Sequence, residues 1–298
     1  MSSNLLLNAL KKANNELSIN SIKTYASVLN SLIKKNDLKV LNLDTLGSKK
    51  VFEYINKLPL KARKVLLSAL LLFFKNDDSK AIAKQKELWK SMIKKDMEQD
   101  NENEEKQELT ATQKENWMDW SAILKRRDEL EYIPSGNKWS RKEINKFQDY
   151  LISALYTFNA PRRAQDYASM LMIKGTPKDN FIDWKAREFI FNDYKTKKVY
   201  NTQKIKIDDQ LFSLLKLWKK HNHTGVLLED THGQPMTPSK LSSRLGSIFG
   251  KTGFGVNILR HAYVSDNLKD MPFLDKIKDI ATDLGHSPSE TVLYKKKV

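Results

Sequence analysis

Apolar residues recur at helical spacing over most of the first hundred positions. Across 19–35 (INSIKTYASVLNSLIKK), Ile22, Tyr25, Val28, Leu29, Leu32 and Ile33 fall on one stripe, and Ser18 or Asn20 stands where an N-cap is needed. The same spacing predicts helices over 48–57, 60–75 and 79–95, the last with lysines on its outer face. These segments make residues 1–95 a compact bundle of about four helices. Residues 111–130 are again helical and carry Trp117 and Trp120, and Ser140 caps a long helix running to about Phe158.

The period then changes. Phe181–Trp184, Glu188–Tyr194 and Gln203–Asp208 alternate or cluster as three short strands. Asp208 or Asp209 opens a helix to about Lys220, and Thr237 followed by Pro238 opens another that ends near Gly250. Helices follow over 256–268 and 273–284, the second stopped by Gly285. No internal repeat is present. The expected fold class is mainly α with a small β-sheet: an N-terminal helical bundle, then a mixed helical domain with a three-stranded sheet.

Charge changes the picture by dividing it. The 298 residues include 52 Lys plus Arg against 36 Asp plus Glu, a net charge of +16. Residues 1–95 hold 19 basic and 7 acidic side chains, so 19 − 7 gives +12. Residues 96–110 (DMEQDNENEEKQELT) hold 7 acids and one Lys, and 111–298 return to 32 − 22, or +10. Two basic blocks about an acidic, Asn/Gln-rich run predict domains at 1–95 and 136–298 joined by a linker and connecting helix at 96–135. Basic blocks of this kind suit nucleic acid, because neutralising phosphates releases counterions, or else reflect a lysine-rich surface set by an AT-rich genome. Only nine of the 52 bases are Arg, so each arginine draws attention to its planar fork.

Several function classes drop out. With no cysteine there is no disulfide, thiol nucleophile or Cys-ligated zinc. No apolar run reaches the ~18–20 residues of a membrane span, and the N-terminus lacks a basic leader. An intracellular, non-secreted protein without a membrane partner is expected. His221 and His223, two apart after a helix end, read as surface residues rather than a metal pair.

Three segments of the second domain carry candidate chemistry. Asn159-Ala-Pro-Arg-Arg-Ala-Gln-Asp166 opens a helix with two arginines and an acid three residues after the second. Asn257-Ile-Leu-Arg-His-Ala-Tyr263 sets Arg260 in an apolar helix, where an unpaired charge is costly unless it faces a cleft. Leu284-Gly-His-Ser287 is followed by Tyr294, eight residues beyond His286. In this order the segments resemble the tyrosine recombinase, or phage-integrase, family, whose boxes read Arg-x-x-Glu/Asp, His-x-Leu-Arg-His, Leu-Gly-His and a downstream Tyr. Ser18-Ile-Asn-Ser-Ile-Lys-Thr-Tyr25 also looks like the start of that family's core-binding domain.

The resemblance implies a role for each residue. Arg163 is the first phosphate-binding arginine, with Asp166 behind it as the acid that orients it, and Arg162 is its competitor. Arg260 is the second arginine, His286 a hydrogen-bond donor to a phosphate oxygen, and Tyr294 the nucleophile. The catalytic lysine falls in Tyr194-Lys-Thr-Lys-Lys198, with Lys195 the best match and Lys197 and Lys198 open. Asn257 stands where the family has a histidine. It can donate a hydrogen bond to phosphate but cannot act as acid or base. The chemistry needs no cofactor and no metal: two arginine forks neutralise the pentavalent phosphorus.

The implied protein cleaves and rejoins DNA through a 3′-phosphotyrosyl link, integrating or excising a viral or mobile element, and self-associates on DNA as a dimer or tetramer. Relatives often continue past the tyrosine with a docking tail, whereas only KKKV follows Tyr294 here, so protomers associate through other surfaces or a tail is missing. The alternatives are a catalytically inactive DNA-binding relative and a type IB topoisomerase-like relaxer.

Overall fold

A computed structural model of the chain describes residues 3–105, 108–269 and 277. It divides into two compact units, residues 1–108 and 109–298. The first comprises α1 (Ser3–Ala13), α2 (Ile19–Asn36), α3 (Leu43–Leu46), α4 (Lys49–Lys57), α5 (Leu60–Phe73) and α6 (Lys80–Glu105).

Local chemistry sets the ends of these helices. Ser18, not Asn20, caps α2: its Oγ accepts from the Ser21 amide at 3.1 Å. At the other end Asp37 takes φ 55°, and the amides of Asp37 and Leu38 close back on the Lys34 and Ile33 carbonyls. Of the expected stripe on α2, Ile22, Leu29, Leu32 and Ile33 are buried together with Ala26, while Tyr25 and Val28 flank the core. Helix α5 (LKARKVLLSALLLF) is apolar on several sides, and it packs against α1, α2 and α6 at once. Its Leu66, Leu67 and Leu70 meet Leu6, Leu10, Leu29 and Leu32 in the centre of the bundle.

The acidic run departs from the expected linker. Through Glu105 it continues α6 as helix. Asp96 and Asp100 lie four apart and so share a face, and that face meets the cations of α5. Arg63 grips Asp96 through Nε at 2.7 Å and through a second nitrogen, while Lys61 and Lys64 stand 3.6 and 3.5 Å from Asp100.

The second unit comprises α7 (Ala111–Asn116), α8 (Trp120–Glu129), α9 (Arg141–Leu155), α10 (Ala164–Ala168), β1 (Phe181–Asp183), β2 (Glu188–Phe191), α11 (Lys197–Tyr200), β3 (Gln203–Lys206), α12 (Asp209–His221), α13 (Pro238–Ile248) and α14 (Val256–Leu268). The strands form one antiparallel sheet in the order β1-β2-β3, with Phe181 opposite Ile190 and Phe189 opposite Ile205. Mainly α with a small β-sheet is therefore the fold class of the described residues.

Residues 109–135 are not a connector. The helix expected over 111–130 breaks at 117–119, where Trp117 turns extended and its indole donates to Asp119 at 2.9 Å. Trp120 and Ile123 are buried in the second unit's core with Phe147, Leu151, Trp218 and Leu259. The expected helix over 273–284 lies outside the described residues.

Candidate functional site

The first arginine box sits where α9 hands over to α10. Residue 163 is the N-cap of α10 and has extended backbone, φ −65° and ψ 150°, and the side chains of Arg162 and Arg163 reach different surroundings. That divergence gives the two arginines different work.

Arg162 turns inward. Its Nε donates to Asp166 Oδ2 at 2.9 Å, and another guanidinium nitrogen donates to Gln203 Oε1 of β3 at 2.8 Å. The guanidinium lies 3.8 Å over the Phe191 ring and 5.3 Å from that of Tyr194. Asp166 is 2% exposed, and burial pushes its carboxyl upward against the pull of Arg162. The acid expected to orient Arg163 thus pairs with Arg162 instead. The spacing favoured Arg163, but the first turn of α10 directs the carboxylate to the arginine four residues back. Tyr167 beside it is buried, and its hydroxyl is pushed well above the ordinary phenol range by that burial.

Arg163 turns outward, into a cleft of about 350 Å³ lined by Ala164, by Ser242 of α13, and by Gly253, Gly255, Val256, Asn257 and Ile258. Gly255 caps α14 without a side chain, so no side-chain oxygen occupies the first amides of that 13-residue helix. Amides of a first turn carry partial positive charge, and residues of that turn line the same cleft as Arg163. The second box enters this space through Asn257, an exposed residue in the first turn of α14. Gly253 is held by Asn116, whose Oδ1 accepts from its amide at 3.1 Å. A Cβ at that glycine would overlap the Asn116 side chain. The close approach of α7 to this loop shapes one wall of the cleft.

Arg260 is one turn beyond Asn257 on the same side of α14 and is half-buried; it does not line the cleft. Below it α14 packs on α8, with Tyr263 edge-on to Trp120 at 5.2 Å. Lys195 and Lys198 are exposed in the connection between β2 and β3, and Lys197 is half-buried at the start of α11. The structure therefore brings Arg163 and Asn257 together, sets Arg260 one turn away, and leaves Lys195 on a separate connection. His286 and Tyr294 lie outside the described residues.

Sequence reasoning did not single out Ser242, Gly253 or Gly255. The run Thr252-Gly-Phe-Gly255, two glycines just ahead of an apolar helix, was the signal that could have found two of them. Chemically the cleft offers one fixed cation, the Asn257 side-chain amide and a bare helix start, which together suit an oxyanion; the Ser242 hydroxyl donates to the Pro238 carbonyl at 3.0 Å. Among the described residues no group of three His, Asp or Glu side chains is placed to hold a metal ion, and no helix is long and apolar enough to cross a membrane. Compared with protein-family models, with curated proteins and with solved structures, the chain matches none.

Proposed function

We propose that this protein cleaves and rejoins double-stranded DNA as a tyrosine-type recombinase, binding duplex DNA and self-associating on it, and that the cleft at Arg163 holds the scissile phosphate. One observation carries the reading: Arg163 and Asn257, from motifs 94 positions apart, line a single cleft at the start of α14. Convergence of two motifs on one oxyanion-binding space is what phosphoryl chemistry requires. The net charge of +16 supplies the general attraction to DNA.

In this reading the Tyr294 oxygen attacks phosphorus, forming the phosphotyrosyl bond while the bond to the 5′ oxygen breaks. The phenol proton leaves through His286 or water, and the departing 5′ oxygen takes a proton from Lys195 or a neighbouring lysine. Arg163 and Arg260 neutralise the charge on the non-bridging oxygens, and Asn257 donates to one of them. A 5′-hydroxyl from another strand reverses the step. Integration or excision of a viral or mobile element is the biological form of that exchange.

The test is a nicked suicide duplex run on a denaturing gel. Wild type is expected to form a covalent adduct that Tyr294→Phe abolishes and Arg163→Ala reduces by about 10²–10³-fold, the usual cost of deleting one preorganised donor. An adduct that persists in Tyr294→Phe overturns the nucleophile. One observation favours a second reading: Asn257 cannot move a proton, as an inactive DNA-binding relative would tolerate. Tight binding with no adduct on any substrate selects that reading.

A further inference from the structure

The connection between β2 and β3 carries a feature that the cleavage chemistry does not use. Val199 and Tyr200, at the end of α11, are 69% and 61% exposed, and Val199 is the most exposed large apolar side chain among the described residues. They do not stand on a loose loop. The Tyr194 hydroxyl donates to the Asn201 carbonyl at 2.6 Å, and Thr202 Oγ1 donates to Asn192 Oδ1 at 2.7 Å. Asn192 is in turn held by Asn180 Oδ1 at 2.8 Å and by the Asp179 carbonyl at 2.9 Å, and both asparagines are buried. Asn201 takes φ 55° and ψ −152°, an uncommon conformation for a residue with a side chain, where the chain turns back into β3. A rigid, buried polar base thus holds an apolar tip out in water.

The surroundings of that tip are cationic. Residues 194–207 contain five lysines (Lys195, Lys197, Lys198, Lys204 and Lys206) and no acid. An aliphatic side chain beside an aromatic one, directly preceded in the chain by Lys195, Lys197 and Lys198, is complementary to a duplex whose phosphates flank stacked, apolar bases. The lysine charge is complementary to phosphate, and duplex DNA is the occupant that the proposed cleavage reading supplies.

We infer that Val199 and Tyr200 form a wedge that enters a groove of duplex DNA and partly unstacks a base step, while the lysines hold the phosphates on either side. The inference rests on the DNA-cleaving reading and deepens it: in that reading Lys195 serves the leaving 5′ oxygen, and the wedge shares its connection, so the step it opens is near the phosphate being cut. Opening a step beside that bond makes the DNA locally deformable, and sites with easily unstacked pyrimidine–purine steps are favoured without direct base contacts.

The probe is a set of duplexes, each with 2-aminopurine at one position, bound by the full chain. Wild type is expected to raise fluorescence at one or two adjacent positions by at least threefold. The double variant Val199→Ala/Tyr200→Ala is expected to abolish that rise while shifting affinity by less than about fivefold, and Tyr200→Trp to retain it. Both wedge residues are exposed, and unchanged melting of the variants confirms intact folding. No rise at any position in bound wild type, or a rise that survives in the double variant, overturns the wedge while DNA binding stands. A wild type that does not bind duplex DNA overturns the underlying reading, and a variant altered only in self-association reassigns the patch to a protein interface.

Discussion

Two adjacent arginines divide the labour of the first box. Arg162 (16% side-chain exposure) neutralises a carboxylate that burial would otherwise strand, whereas Arg163 faces an open cleft. Arg162→Ala removes the guanidinium that pairs with buried Asp166 and leaves it only the charge and backbone amide of Arg163, and is expected to cost about 3 kcal/mol of stability at neutral pH. The pH dependence follows in sign. Asp166 already titrates above its ordinary value because of burial, and losing Arg162 raises it further. A carboxyl whose pKa is raised on folding contributes most when protonated and loses that contribution as pH rises through its folded value. The deficit of Arg162→Ala should thus shrink as pH falls from neutral through the raised Asp166 value in urea titrations. A deficit constant over that range would show that the stranded carboxylate is not the cost. Arg163→Ala, by contrast, should melt close to wild type and reduce adduct formation by about 10²–10³-fold.

At the scale of elements, the pairing of α5 with α6 is the least expected feature. Seven acids in fifteen residues (96–110) read as a solvated linker, yet two of them fall on the helical face that meets Arg63, Lys61 and Lys64. The Arg63–Asp96 pair is well shielded, at 17% and 5% side-chain exposure. Replacing Asp96 by Ala leaves a partly buried guanidinium without its partner and should destabilise the chain by about 3 kcal/mol, the low end for breaking a shielded pair. Replacing Lys61, which is 70% exposed, should cost no more than about 1 kcal/mol, as surface pairs do. Equal effects from the two changes, measured by chemical denaturation, would deny the acidic face its role. Capping was legible wherever a short polar side chain preceded an apolar run: Ser140 with Glu143 builds a full capping box, and Thr237 with Pro238 opens α13. The break at Trp117 was not legible, because it depends on Asn116 holding Gly253, 137 residues away.

At the scale of the molecule, each unit is basic in sequence, and a steep salt dependence of DNA binding is expected. If six to ten phosphates are contacted, affinity should fall about 10³–10⁵-fold between 50 and 200 mM salt. A nearly flat dependence in fluorescence anisotropy would refute a phosphate-dominated interface. The fold class, most helices and the three strands could be read from the chain, because caps, period and residue type are local; of the site, Arg163 and Asn257 were named from sequence and share a cleft. Tertiary structure alone decided four things: which arginine meets Asp166, where the boundary between units falls, which residues share a cleft with Arg163, and that Val199 and Tyr200 stay uncovered. Each depends on contacts between segments far apart in sequence or on which side of a backbone turn a side chain leaves. Apolar period marks which residues are candidates for burial, but only packing determines which of them find a partner.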